Sequence, residues 1–225
     1  AGFVDIAEEI RRIVPVIEML TRRLPVPISV DTSKPEVMQA AADAGAGLIN
    51  DVRALRAPGA EAMAAALGLP VCLMHMQGEP RSMQADPRYD DVVAEVAGFL
   101  RARVAACEQA GIARGRLLLD PGFGFGKTLA HNLALLSGLA ALTDVGLPVL
   151  VGLSRKAMLG RLTGRDVGAR TAAGVAAAGI DSSRNRSRSL HRVGAALGGS
   201  TQLCSSGSSG CCSASCTSMP PSRWR

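Results

Sequence analysis

Five short apolar runs recur along the first 178 residues, each separated from the next by a longer stretch with helical spacing, and each closes on or beside a polar side chain. The runs are Pro27–Asp31, Gly47–Asp51, Val71–Met74, Leu117–Asp120 and Val149–Gly152. They are apolar throughout rather than alternating, as strands buried on both faces must be. Helical spacing is read over Ile6–Leu20, Pro35–Ala44, Ala60–Leu67, Tyr89–Ala110, Asn132–Ala141 and Met158–Ala178, the last broken at Gly164. The first of these stripes Ile10, Ile13, Val14, Ile17 and Leu20 opposite Arg11, Arg12 and Glu18. Ser33, Pro35 and Glu36 are spaced as a capping box that would start the second helix. Alternating strand and helix implies a parallel sheet covered on both sides, either a β/α barrel or an open doubly wound sheet.

The residues that close the runs separate these two. Asp31, Asn50-Asp51, Met74-His75, Asp120 and Ser154-Arg155-Lys156 all stand at strand C-terminal ends. A barrel gathers every such end around one rim, whereas an open sheet brings together only those near its switch point. The expected fold class is therefore α/β, a (β/α)8 TIM barrel. It is an incomplete one, because five strands are visible where eight are needed.

Composition divides the chain rather than characterising it. The 225 residues are 48% hydrophobic and 20% charged, which excludes a disordered or fibrous protein for most of the length. No apolar run approaches the roughly 18 residues of a membrane span, and no secretory signal is visible, so a cytoplasmic chain without a membrane partner is expected. The net charge of +6 would suggest nucleic acid if it covered the surface. It does not: six arginines and one acid, Asp181, lie from 181 onward, leaving 19 basic and 18 acidic residues before them. The same 45 positions hold 13 serines and Cys204, Cys211, Cys212 and Cys216, whose spacing lacks paired zinc knuckles. Two regions are expected: a partial barrel over 1–178, and a Ser/Arg/Cys-rich tail over 179–225, disordered or the product of a reading-frame shift. An arginine-serine segment that binds nucleic acid is the rival reading of the tail; the expected partners are small molecules only.

Asp31 or Asp120 alone would read as a turn or N-cap residue. Together with Asn50 and Lys156 at equivalent strand ends they form a different pattern. A carboxylate accepts paired N–H donors from an aminated heterocycle, and an amide both donates and accepts along the same edge. Lys156, one of three lysines in the chain, suits a ring carbonyl, a ring nitrogen or an anion. The segment Asp120-Pro121-Gly122-Phe123-Gly124-Phe125-Gly126-Lys127-Thr128 imitates a nucleotide loop but fails both glycine patterns, since Pro121 and Phe125 occupy required glycine positions. It reads as a tight βα loop that lifts two of the four phenylalanines to the rim. His75 suits either a rim role or a structural hydrogen bond, and Met74 suits the core. Neither His75 nor His131 has metal-ligand spacing, so no metal-ligating residue is assigned.

Five motifs carry a resemblance: Pro27-Ile-Ser-Val-Asp-Thr-Ser-Lys-Pro-Glu-Val37, Ile49-Asn-Asp-Val52, Leu73-Met-His-Met-Gln-Gly78, Leu119-Asp-Pro-Gly-Phe-Gly-Phe-Gly-Lys-Thr128 and Val151-Gly-Leu-Ser-Arg-Lys156. From about residue 5 to about 178 the chain resembles the dihydropteroate synthases, folate-pathway enzymes inhibited by sulfonamides, whose fold is a (β/α)8 barrel. The resemblance implies a transferase that joins 4-aminobenzoate to 6-hydroxymethyl-7,8-dihydropterin diphosphate, giving 7,8-dihydropteroate and diphosphate. It places Asp31, Asn50, Asp120 and Lys156 around the pterin, with Asp120 at the guanidine-like edge, Met74 beneath the ring, and Asp31 and Lys156 as the catalytic pair. It places Phe125, Ser154, Arg155 and Ala157 on the aminobenzoate side.

The same resemblance implies Mg²⁺ as cofactor, held by an asparagine on a first strand that lies before Ala1, and a homodimer. Measured against it, the chain is expected to lack strands 1, 2 and 8, and so to leave two bare parallel edges. His191-Arg192-Val193 has the letters of the family's last strand end in another order, and takes none of its roles. Two other readings stay open: a catalytically silent pterin-binding fragment, and a related pterin-dependent methyltransferase barrel.

Overall fold

The computed structural model describes residues 4–80 and 82–184 together with the short strands at 194–195 and 203–204. Helix α1 (Ile6–Arg23) starts where the Asp5 carboxylate accepts the Glu8 amide at 2.8 Å, and it buries Ile13 and Ile17. Strand β1 (Ser29–Asp31) follows, then α2 (Pro35–Asp43), β2 (Leu48–Asp51), α3 (Ala60–Leu67), β3 (Val71–Met74) and α4 (Val92–Gln109). The chain continues through β4 (Leu117–Asp120), α5 (Leu129–Ser137), α6 (Ala140–Thr143), β5 (Leu150–Val151), α7 (Ala157–Thr163) and α8 (Thr171–Arg184). Two further short strands, β6 (Gly194–Ala195) and β7 (Leu203–Cys204), close the order.

Every strand pairing is parallel. One sheet runs β4-β3-β2-β1-β7, a second pairs β5 with β6, and a bridge from Leu119 to Val149 joins the two beside β4. All four residues of β3 and of β4 are buried, in keeping with the unbroken apolar runs. The core lies between the sheet and the helices around it, and Val37, Met38, Leu100, Val104 and Phe123 share it with Ile49 and Leu119 of the strands. The architecture is the α/β arrangement expected of an incomplete barrel. No helix among the described residues is long and apolar enough to cross a membrane.

Four local expectations are corrected. Ser33 does not cap α2: Lys34 is the N-cap, with no side-chain cap bond, because the Ser33 hydroxyl donates across the sheet to Asp51. The helix read over Asn132–Ala141 is two helices, and it begins earlier. Thr128 and His131 form a reciprocal cap on α5, with both bonds at 3.2 Å, and Gly138 ends it, where any side-chain carbon would press on Val93. The last helical stretch ends a segment at Gly164, in the left-handed conformation, as read; it then resumes as α8 and runs past 178 to Arg184. Finally, the two expected bare edges are occupied: β7 pairs with β1 and β6 with β5. Apart from these two strands and the end of α8, the tail expectation, including His191-Arg192-Val193, lies outside the described residues.

Candidate active site

Parallel register places the strand-end side chains on one rim. Asp31 is the partner of Asn50 across β1 and β2, and Met74 is the partner of Asp120 across β3 and β4. Asn50 itself is the partner of Cys72, two residues before Met74, so the rim is stepped: the Asp31–Asn50 pair and the Met74–Asp120 pair stand on the same face of neighbouring strands, two residues apart along them. Asp31, Asn50 and Asp120 are each only 6% exposed. Polar groups this buried need partners, and Asn50 lacks one: its Oδ1 is enclosed and accepts no hydrogen bond. An unsatisfied buried acceptor costs about 1–3 kcal/mol, which a donor on a bound ring would remove.

Asp120 accepts the Gly122 amide at 2.7 Å. Burial pushes its carboxyl above the usual carboxylate range, against the opposing pull of that N–H and of the Lys156 and Lys127 charges. Asp51, which follows Asn50 at the end of β2, faces away from the rim. Fully buried, it accepts the Ser33 hydroxyl and the Arg53 and Leu55 amides, both amides at 2.8 Å, and so holds Ala54 and Leu55 in left-handed conformations. Asp51 is a loop anchor rather than part of the rim.

The second wall comes from two loops. The Lys156 ammonium stands 4.4 Å from the centre of the Phe125 ring, both half-buried, a cation–π pair over the rim. Ser154 is half-buried, while Arg155 and Ala157 are exposed at the start of α7. Arg155 takes a left-handed backbone at φ +57°, strained for a residue with a side chain. Arg170, just ahead of α8, donates to the Arg155 carbonyl at 3.2 Å and to the Arg165 carbonyl at 3.0 Å, and its guanidinium lies against Gly160, where a side-chain carbon would overlap it.

The glycine-rich loop is fastened from beneath. The Asn132 amide accepts from Gly124 N–H at 2.8 Å and donates to the Lys127 and Thr128 carbonyls. Gly122, at φ +67°, lies so close to the His75 carbonyl that any side chain would overlap it. His75 is buried, edge-on to Phe99 at 5.0 Å, and burial beside the Lys127 cation lowers its pKa to about 3, so the ring is neutral. Of the two roles left open for it, the structure gives His75 the hydrogen bond. On the other side of β1, Glu9 is buried and joins α1 to the rim: its carboxylate accepts the Thr32 hydroxyl at 2.7 Å and pairs with Lys34 at 2.6 Å.

Sequence reasoning missed Glu9, Lys127, Asn132 and Arg170. Lys127 carried one signal, its rarity as one of three lysines. The other three look like ordinary helix residues until the fold brings distant carbonyls and hydroxyls to them.

The rim of this parallel β/α sheet offers two buried carboxylates, an unsatisfied amide and a lysine–phenylalanine wall, groups that can accept the N–H edge of a flat ring and cover its face. Residues 1–184 match the family model described as pterin binding enzyme, and the chain belongs to that family. Among curated proteins it is 57% identical over 162 residues to the dihydropteroate synthase of Escherichia coli (strain K12), a match that covers 72% of this chain and 57% of that protein. The crystal structure of dihydropteroate synthase from Stenotrophomonas maltophilia with active site-bound imidazole superposes with a TM-score of 0.78 at 60% identity, covering 80% of this chain and 69% of that one. Dihydropteroate synthase from Xanthomonas albilineans in complex with 7,8-dihydropteroate superposes with a TM-score of 0.75 at 54% identity, covering 80% and 66%. The chain thus spans 57% of the length of the first of these relatives.

Proposed function

We propose that this chain acts as a dihydropteroate synthase, condensing 6-hydroxymethyl-7,8-dihydropterin diphosphate with 4-aminobenzoate. The carbon–oxygen bond to diphosphate breaks, the amine nitrogen takes its place on the methylene carbon, and the amine loses a proton. The observation that carries the reading is the buried, unpartnered Asn50 Oδ1 beside the Asp31 carboxylate and on the same strand-end rim as the Asp120 carboxylate. Asp120 accepts from the amino-pyrimidine edge of the pterin, Asn50 takes a further ring N–H, and Met74 forms an apolar floor. Asp31 stabilises the positive charge that develops on the ring as diphosphate departs. Lys156 contacts the ring's acceptor edge from its place above Phe125. Phe125, Ser154, Arg155 and Ala157 receive the aminobenzoate.

Mg²⁺ enters this reading only by resemblance. Among the described residues no three His, Cys, Asp or Glu side chains cluster as a metal site. A homodimer belongs to the same reading, and sedimentation of the purified chain tests it.

The deciding experiment pairs calorimetry, using the pterin diphosphate, with an assay for dihydropteroate on the 225-residue chain. Heat of binding and product are expected. Absence of binding heat overturns the ring site; binding without product keeps the ring site and removes the transferase activity.

A further inference from the structure

Lys127 is only 3% exposed, yet it carries an ammonium group. Its Nζ lies 3.0 Å from the Gly122 carbonyl, 2.9 Å from the Phe125 carbonyl, 3.0 Å from His75 Nδ1 and 3.4 Å from the His75 carbonyl. The acceptors belong to two segments, the end of β3 and loop 121–127, so one buried cation closes the junction between them. The His75 ring accepts at Nδ1, which leaves its remaining proton on Nε2.

Gly122 makes this junction bear on the rim. Its N–H donates to the Asp120 carboxylate while its carbonyl accepts from Lys127, so the cation and the carboxylate grip the same peptide unit from opposite sides. Phe125, whose carbonyl takes another Lys127 bond, carries the ring beneath the Lys156 ammonium. Charged and titratable groups face Lys127 from every neighbouring element: His75 from β3, Asp120 from β4 and Lys156 from the loop before α7. Tyr89 lies behind His75 and donates to the Gly126 carbonyl at 2.8 Å, and the Arg56 charge reaches His75 from the far side.

We propose that Lys127 is a positioning residue of the pterin site, fastening loop 121–127 to the end of β3 and, through the Gly122 peptide that both groups grip, holding Asp120 at the ring edge, where its charge adds to that of Lys156 in favouring the carboxylate. The proposal rests on the pterin reading of Asp120, but its central claim is a property of the ligand-free chain. Burial lowers the Lys127 pKa to about 7, and in its charged form Lys127 pulls the Asp120 pKa down, alongside Lys156, against the rise that burial causes. Removing that charge must therefore move the Asp120 titration to higher pH.

The test follows the ¹³C signal of the Asp120 carboxyl against pH in the full chain and in Lys127→Met and Lys127→Arg, with circular dichroism to confirm folding. Lys127→Met should raise the Asp120 midpoint measurably. Lys127→Arg should return it toward the parent value. Calorimetry with the pterin diphosphate should show about a tenfold loss of affinity for Lys127→Met, with its acid limb displaced in the same direction. An unmoved Asp120 midpoint in folded Lys127→Met overturns the proposal.

Should that variant fail to fold, the parent chain decides: the ¹⁵N signal of Lys127 Nζ must shift with the Asp120 midpoint, and no such shift overturns it equally. A parent chain that takes up no pterin would sink the function proposed above, while the two titrations still judge Lys127.

Discussion

Asn50 illustrates how a residue can be costly to the fold and useful to the site. Its orphaned Oδ1 is a liability without a ligand, so Asn50→Leu, of similar volume, should melt at the same or a higher temperature by calorimetric scan. The same substitution should weaken pterin binding about tenfold or more, because the ring would leave an N–H unmatched. His75 couples the site to pH in the opposite sense to a histidine held in a salt bridge, and in the same sense as a salt-bridged carboxylate. Its folded pKa of about 3 lies below the unfolded value near 6.5, so the unfolded chain binds the extra proton between these limits. Stability is therefore full above about pH 6.5 and is lost as pH falls toward 3, by an amount on the order of 4 kcal/mol. Denaturant titrations at a series of pH values should show that slope, and His75→Gln, uncharged throughout, should flatten it. Asp31, Asn50 and Asp120 were legible because a short apolar strand advertises its own end. Lys127 was not, since its burial depends on His75, which the sequence places 52 positions away.

At the scale of elements, local rules held where the partners were local. Thr128 and His131 cap α5 from three residues apart, whereas Ser33, with an equally good local pattern, gives its hydroxyl to Asp51 on the neighbouring strand. A capping box states what a side chain can do; the sheet decides what it does. The joint between α7 and α8 depends on Arg170, which ties the strained Arg155 peptide to the Arg165 turn. Arg170→Met should lower stability by about 1–2 kcal/mol in thermal melts. It should also speed hydrogen exchange at the Lys156 amide, which donates to Leu153 at 3.3 Å within the same turn. Exchange as slow as in the parent would show that the turn holds without the guanidinium. Strands β6 and β7 escape sequence reading because two residues are too short to express a periodicity, whereas the equally short β5 is legible from the run Val149–Gly152 around it.

Over the whole molecule, the sheet's parallel order is set by βα units that follow one another in the chain, and this much the alternation of runs makes plain. The occupants of its outer edges are not plain in the same way. Unpaired edges invite association with other chains, and β6 and β7 cover those of β5 and β1. Deleting residues 194–204 should therefore lower the temperature at which light scattering rises, with the far-ultraviolet circular dichroism of the remaining helices preserved; an unchanged onset would show that these strands protect nothing. The pairing of Val30 with Leu203 has a further bearing, on the order of events during synthesis. Strands β1 to β4 can zip together one unit at a time as they leave the ribosome, each waiting only for the next. The outer side of β1 must wait until Leu203 has been made. That contact is the most distant in sequence among the strand pairings, so its closure is the slow, late step, and the nascent protein has greatest need of a chaperone in the interval before it.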